Sequence, residues 1–350
     1  MTFLDQVRRR LPDYPPYYEA PPGNLLRLDQ NANLLGPNPV VQNTRIDTSQ
    51  AHLYPSRDNT PLLEAAGKAF RTHPRNLFVA NGSDEILDII LRTLVEPGGR
   101  VATPHPSYSL YGHLCRLSRV THVQVPFDAD FTIRAQSLLD AKPDLILVAN
   151  PNNPTGTLVD ARVVGELLER FDGPVVVDEA YAEFNGTSLI PFVERTPNLL
   201  VTRTLSKAAG LAGMRVGFGV AHPDVAELIR RNKIPFSVNI LSEQLAIQAL
   251  HHPGHIERTI QQTAKDRDTL SKELQRRGFH VVPSSANFLL TLPPIPSEEL
   301  YEALRLNGVL ARVFPKEPAL RDYIRFTVGR PEDHKRLLTT LDKILDGGAT

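Results

Sequence analysis

Between about residues 76 and 221, short β-branched runs alternate with helical patterns. This alternation constrains the fold more than any other feature, because parallel strands need crossover connections and a helix is the usual one. Leu77-Phe78-Val79-Ala80, Arg100-Val101-Ala102-Thr103 and Leu145-Ile146-Leu147-Val148 read as strands. So do Val175-Val176-Val177, Leu199-Leu200-Val201-Thr202 and Val216-Gly217-Phe218-Gly219-Val220. The run at Leu145 is continuously apolar, as befits a strand covered on both faces. Ser83 is placed to cap a helix running through Leu94, with Pro97-Gly98 as the stop, and residues 160–171 read as another helix. The expected fold is α/β, a mostly parallel sheet with helices on both faces.

After about Pro253 the pattern changes. A long amphipathic helix marked by Ile256, Ile260, Ala264, Arg267, Leu270 and Leu274 ends at Gly278. Residues 279–282, 287–290 and 323–328 read as strands, with helices at 297–306 and 332–345. Strands followed by helices on one side describe a smaller α+β unit. The expected division is a large domain over 46–255 and a small domain from 1–45, including an N-terminal arm, with 256–350.

The 350 residues suffice for two lobes and a large core. Thirty-nine Lys plus Arg balance 39 Asp plus Glu, leaving no basic field for a nucleic acid or an anionic membrane. Cys115 is the single cysteine, which excludes an internal disulfide and a cysteine-based zinc site and fits a reducing compartment. The first ten residues lack the apolar core of a signal peptide, and no apolar run is long enough to span a bilayer. A soluble, cytoplasmic protein is expected. His251, His252 and His255 flank Pro253-Gly254, which breaks any helix that would align them. They read as solvated loop residues, and no metal site is expected.

Ligands of open α/β sheets sit beyond the carboxyl ends of the strands, and here polar motifs collect at those ends. Asn81-Gly82-Ser83-Asp84-Glu85 opens a helix whose free N–H groups would favour a phosphate. Pro104-His105-Pro106-Ser107-Tyr108 brings a tyrosine able to stack on an aromatic ring, and Asn150-Pro151-Asn152-Asn153-Pro154-Thr155-Gly156 is a rigid turn presenting an amide. Asp178-Glu179-Ala180-Tyr181 and Lys207 complete the series. Each turn alone also reads as an ordinary capped helix start or a wet strand end. Five in succession, carrying complementary parts, read as one site.

Lys207 is the most telling member. A lysine at the exit of a buried strand is poorly hydrated, so its amine loses its proton more easily and can attack a carbonyl. Thr204 and Ser206 offer hydroxyls nearby, and Arg215 offers a guanidinium fork suited to a phosphate dianion. Pyridoxal phosphate, which carries an aldehyde and a phosphate on one ring, needs both kinds of group. Asp178 is then the candidate to keep the pyridine nitrogen protonated, and Asn153 and Tyr181 can hydrogen-bond the ring's phenolate oxygen.

These residues resemble the fold-type-I pyridoxal-phosphate aminotransferases, the aspartate aminotransferase superfamily. The likeness also covers Leu53-Tyr54-Pro55, Arg203-Thr204-Leu205-Ser206-Lys207, Gly213-Met214-Arg215-Val216-Gly217, Ser285-Ala286-Asn287-Phe288 and Ile324-Arg325-Phe326-Thr327-Val328-Gly329. Within the superfamily the nearest resemblance is to the histidinol-phosphate aminotransferases. It implies an aspartate aminotransferase-like large domain with a mostly parallel, seven-stranded-type sheet, and a smaller α+β domain. Lys207 would carry the cofactor and shuttle the proton, Asp178 would pair with the pyridinium nitrogen, and Asn153 and Tyr181 would hold the ring oxygen. Tyr108 would stack on the ring, and Gly82, Ser83, Asp84, Thr204, Ser206 and Arg215 would surround the phosphate. Tyr54 would reach that phosphate from the partner subunit of a homodimer with shared sites. Arg325 would clamp the substrate α-carboxylate, while Arg312, Tyr17, Asn33 and Asn239 would meet the rest of the substrate.

The reaction so implied moves an amino group from histidinol phosphate to 2-oxoglutarate, giving imidazole acetol phosphate and glutamate, a step of histidine biosynthesis. An aromatic or broad-specificity aminotransferase, and a pyridoxal-phosphate decarboxylase of a phosphorylated amino acid, share nearly every cofactor motif and stay open. A transcription regulator that uses this fold as its sensor would need a DNA-binding domain for which no room is expected. Asn31-Ala32-Asn33-Leu34 stands where the family usually reads Asn-Glu-Asn-Pro, and Ser237 stands where asparagine is common. Both departures concern the substrate side.

Overall fold

The computed structural model describes residues 2–10, 23 and 25–347. Its strands in chain order are β1 (Leu26–Arg27), β2 (Leu77–Ala80), β3 (Arg100–His105), β4 (Thr121–Pro126), β5 (Leu145–Ala149), β6 (Val175–Asp178), β7 (Leu199–Thr204) and β8 (Gly217–Val220). They continue with β9 (His280–Val281), β10 (Phe288–Leu292), β11 (Val309–Leu310), β12 (Arg312–Val313) and β13 (Ile324–Thr327).

A seven-stranded sheet has the order β2-β8-β7-β6-β5-β3-β4. Its pairs β7–β6, β6–β5, β5–β3 and β3–β4 are parallel, whereas β8 runs antiparallel to both β2 and β7. Alternate strand residues feed two cores. Val101, Leu145, Leu147, Val176 and Leu200 meet Ile86, Leu87 and Ile90 on one face. Ala102, Ile146, Val148, Val175, Val177 and Val201 meet Leu62, Leu167 and Ala249 on the other. Burial on both faces is the reason the central strands read as unbroken apolar runs.

The strand pattern in the sequence does not announce β4. As an edge strand it reads Thr-His-Val-Gln-Val-Pro and buries only Val125, so its hydrophobic signal is weak. Nor does Ser83 cap its helix. It is the first helical residue of Ser83–Leu94, and Gly82, at φ +88°, occupies the cap position with no side-chain bond. His251 is likewise the last residue of helix Ile240–His251, so it and the C-cap His252 lie at a helix end rather than in a loop.

A four-stranded sheet has the order β12-β13-β10-β9 and is antiparallel at every pairing. Ile324 and Phe326 of β13 enter a core with Leu28, Leu270, Leu300 and Leu341, so Arg325 between them faces the opposite side. β1 pairs in parallel with β11, which joins the N-terminal segment to this C-terminal unit. Among the described residues, no helix is long and apolar enough to cross a membrane.

Candidate active site

The carboxyl ends of β2, β3, β5, β6 and β7 lie along one edge of the large sheet, and antiparallel β8 starts at that same edge. Arg215, two residues before β8, is thereby brought to the turns that follow the other strands. Its Nη2 donates to Asp84 Oδ2 at 2.8 Å, while Tyr108 Oη donates to Asp84 Oδ1 at 3.4 Å. A Cβ on Gly82 would stand 2.5 Å from Arg215 Nη2. One on Gly217 would stand 2.2 Å from the Gly82 carbonyl carbon and the Ser83 nitrogen. Only glycine permits backbones this close. Thr204 and Ser206 are buried on the adjoining turn, with Thr204 Oγ1 donating to Ser206 Oγ at 2.9 Å. N–H groups, hydroxyls and one guanidinium thus gather at a helix N-terminus whose cap makes no side-chain bond, an arrangement suited to an anion.

Asp178 is buried at the end of β6. Thr202 Oγ1 donates to its Oδ1 at 2.7 Å, Tyr111 Oη to its Oδ2 at 2.7 Å, and Ala180 N–H to Oδ1 at 3.2 Å. Burial lifts this carboxyl above the ordinary aspartate range, and the bonds from Thr202 and Tyr111 offset that only in part. All three donors are neutral. Such a carboxylate fits a cation brought by a ligand. Its neighbour Glu179 serves the framework, accepting from Arg203 Nη1 at 3.1 Å, Ser188 Oγ at 2.6 Å and Leu189 N–H at 2.6 Å.

Lys207 Nζ donates to Asn31 O at 3.3 Å and lies 5.3 Å from the centre of the Tyr181 ring. Asn31 Nδ2 donates to Tyr181 Oη at 3.1 Å. Asn31 therefore links the two chemical groups, and its N–H bonds Thr327 Oγ1 of β13 at 3.0 Å. The sequence does not single out Asn31; Asn33, expected to meet the substrate, donates its Nδ2 to Ala208 O at 3.3 Å. The available signal was weak: Asn31 sits at φ +54°, a left-handed conformation that asparagine tolerates better than most residues. Tyr111 was likewise missed, being one tyrosine of a short helix, Leu110–Leu117.

Arg325 Nη1 donates to Asn153 Oδ1, and Nη2 donates to Asp29 O at 2.7 Å. The guanidinium is buried 5.1 Å from the Phe288 ring and 5.9 Å from the Phe314 ring. Arg312 is its direct cross-strand partner, so both side chains leave the same face, and Arg312 lies 6.0 Å from the Phe314 ring. Asn239 is placed differently: its Oδ1 accepts from Ser242 N–H at 2.9 Å and its Nδ2 donates to Ser242 Oγ at 3.0 Å, capping helix Ile240–His251. Tyr54 is 84% exposed and stacks on Phe236 at 5.2 Å. Tyr17 lies outside the described residues.

The family model for aminotransferase class I and II matches residues 23–341. The histidinol-phosphate aminotransferase of Pseudomonas putida is 37% identical over 347 residues, 97% of this chain and 99% of its own. That of Caldanaerobacter subterraneus subsp. tengcongensis is 33% identical over 316 residues, covering 88% of this chain and 90% of its own. Among solved structures, the histidinol-phosphate aminotransferase of Sinorhizobium meliloti, in complex with pyridoxal-5'-phosphate, matches with a TM-score of 0.84 at 25% identity, over 93% of this chain and 92% of that one. The matched span runs from the N-terminal segment that carries Asn31 to the final helix, so every turn of the candidate site lies within it. The chain belongs to the class I and II aminotransferases.

Proposed function

We propose that this chain is a pyridoxal-phosphate-dependent aminotransferase that moves the amino group of histidinol phosphate to 2-oxoglutarate. Two features fit the cofactor: the buried Asp178 carboxylate bonded only by neutral donors, and the uncapped helix start at Gly82 with Arg215 beside it. When bound, the cofactor supplies an electron-accepting ring that stabilises the carbon losing its proton.

The rest is work for side chains of this chain. Lys207 Nζ takes up and returns the substrate proton, held near its post by Asn31 O. Asp178 keeps the ring nitrogen protonated. Asn31 Nδ2 donates to Tyr181 Oη, which leaves the tyrosine O–H to point at another acceptor. Asn153 Oδ1 is taken by Arg325, which leaves the amide N–H₂ to serve the ring oxygen.

Arg325 and Arg312 carry the substrate reading. Their cross-strand register sends both guanidinium groups from the same face of the small sheet, so one anionic substrate can meet both. A bidentate clamp at Arg325 suits an α-carboxylate common to both substrates, and Arg312 suits a distal phosphate. The related proteins named above act on histidinol phosphate by name, which agrees with this assignment.

A homodimer belongs to the same reading. Leu53, Tyr54, Ile234, Phe236 and Leu241 form an exposed apolar set, of the kind that marks an interface. Tyr54 from one subunit would then reach the phosphate site of the other. Cytoplasmic residence fits the single, buried Cys115.

The test compares kcat/KM for histidinol phosphate, phenylalanine and aspartate in wild type and Arg312→Ala. Histidinol phosphate should lead and should lose at least about tenfold on substitution, the order expected when a charged hydrogen-bond partner is removed. If phenylalanine led and ignored the substitution, an aromatic or broad-specificity aminotransferase would replace this reading.

A further inference from the structure

The two larger sheets are joined by a ring of contacts, and the proposed mechanism gives no role to its His105–Glu317 link. His105 is the last residue of β3, flanked by Pro104 and Pro106, which restrict its backbone. Its Nδ1 accepts from Gln124 Nε2 at 2.8 Å, and its Nε2 faces Glu317 Oε1 at 2.9 Å. With Nδ1 serving as acceptor, the ring proton sits on Nε2 and is donated to the carboxylate.

Glu317 lies in the connection between β12 and β13. Its N–H donates to Phe314 O at 2.9 Å, and its carbonyl accepts from Leu320 N–H at 2.9 Å, so the connection is a compact turn. Phe314 packs with Leu290 and Leu320 and presents its ring to both Arg325 and Arg312. Arg325 then bonds Asn153, and the adjacent Asn152 accepts from Ser107 Oγ at 2.7 Å, two residues beyond His105. The ring thus passes from the large sheet to the small one and back.

We infer that His105 and Glu317 are positioning residues for substrate binding. The pair fastens the β12–β13 connection to the carboxyl end of β3, and so holds Phe314 against the two arginines. This rests on the proposed function, in which those arginines take the anionic groups of the substrate. Neither His105 nor Glu317 has to touch it. Their side chains are 22% and 27% exposed, shielded enough for the bond to exceed an ordinary surface pair.

Kinetics of the pyridoxal-phosphate-loaded enzyme, paired with hydrogen exchange, tests this. In His105→Ala and in Glu317→Ala, KM for the amino donor should rise about tenfold, the scale of a lost charge-assisted hydrogen bond. Cofactor affinity and kcat should stay within about twofold, because uniform binding is what is lost. The double variant should be no worse than either single one. Glu317→Gln, which keeps an acceptor oxygen, should recover most of the loss. The backbone amides of Phe314, Lys316, Glu317, Ala319 and Leu320 should exchange faster in both alanine variants, with β5 and β6 unchanged. Unaltered KM, effects that multiply in the double variant, or unaltered exchange at these amides would each overturn the inference. If the wild type transferred no amino group, the functional reading would fall by itself, and the exchange data would still decide whether the pair fastens this connection.

Discussion

Tyr111 Oη donates a 2.7 Å hydrogen bond to Asp178 Oδ2, and both groups are buried. Burial, and then the charge of Asp178, pushes the Tyr111 hydroxyl well above the usual tyrosine range, so it keeps its proton and remains a donor. The bond favours the ionised carboxylate that burial disfavours. Tyr111→Phe removes it at little cost in shape. We expect kcat to fall about tenfold with the cofactor retained, the scale of one hydrogen bond to a charged group. Asp178→Asn should cost orders of magnitude, because the ring nitrogen loses its partner. Wild-type turnover in Tyr111→Phe would mean that Thr202 and the Ala180 N–H suffice to sustain Asp178.

Borohydride treatment of the yellow holoenzyme should fix the cofactor on Lys207 alone, located by peptide mass mapping. Lys207→Ala should lose both the reducible absorbance and the fixed cofactor. Label found on another lysine would remove Lys207 from the centre of the site.

Gly217 and Gly219 both forbid a Cβ, for different reasons. On Gly217 it would meet the Gly82–Ser83 backbone at 2.2 Å, whereas on Gly219 it would meet the Phe78 ring at 2.0 Å. Both alanine variants should be destabilised by about 1–3 kcal/mol, as overpacking is. Only Gly217→Ala should also weaken cofactor binding, since it moves the phosphate-type turn. Thermal unfolding with cofactor titration reads both quantities, and equal affinity losses would sink the assignment of that turn.

Acid should weaken the fold through two imidazoles, one buried at His334 and one half-buried at His122. His334 and His122 are held below the ordinary histidine value of 6.5, in both cases chiefly by burial. Below that pH the unfolded chain binds a proton that the folded chain resists. Their contribution is therefore whole above about 6.5 and is lost as pH falls toward the lowered folded values. His334 Nε2 accepts from Gly329 N–H at 3.0 Å, and a glutamine oxygen can take over that role. Urea unfolding at pH 7.5 and 5.5 should show a smaller pH difference in His334→Gln than in wild type. An unchanged difference would assign the acid sensitivity to other groups.

Mixed subunits test the shared site. Lys207→Ala and a strongly impaired Tyr54 variant should each be inactive alone, and mixing should restore one intact site per hybrid dimer. Pairing Lys207→Ala with Arg325→Ala should restore nothing, because both residues belong to one subunit's site. No recovery in the first mixture would count against a Tyr54 that crosses to its neighbour.

The sequence by itself determined the class of fold and which strand ends carry the polar turns. Runs such as Leu145-Ile146-Leu147-Val148 and Val175-Val176-Val177 are local patterns, and parallel strands deliver the turns that follow them to one edge. Asp178, Asn153 and Lys207 were therefore legible as residues at the ends of neighbouring strands of one sheet edge. Tertiary structure decided what depends on pairing and on distant burial. Local pattern carries no strand direction, so the antiparallel course of β8, which brings Arg215 and Gly217 to Gly82, was not readable. Tyr111 meets Asp178 across 67 residues, and His105 meets Glu317 across 212. Lys207 meets Asn31 across 176 residues, and Asn31 meets Tyr181 across 150. Side-chain type and spacing specify which chemistry is possible, but hydrogen bonds act over about 3 Å, and only the packed sheets bring such distant residues within that reach.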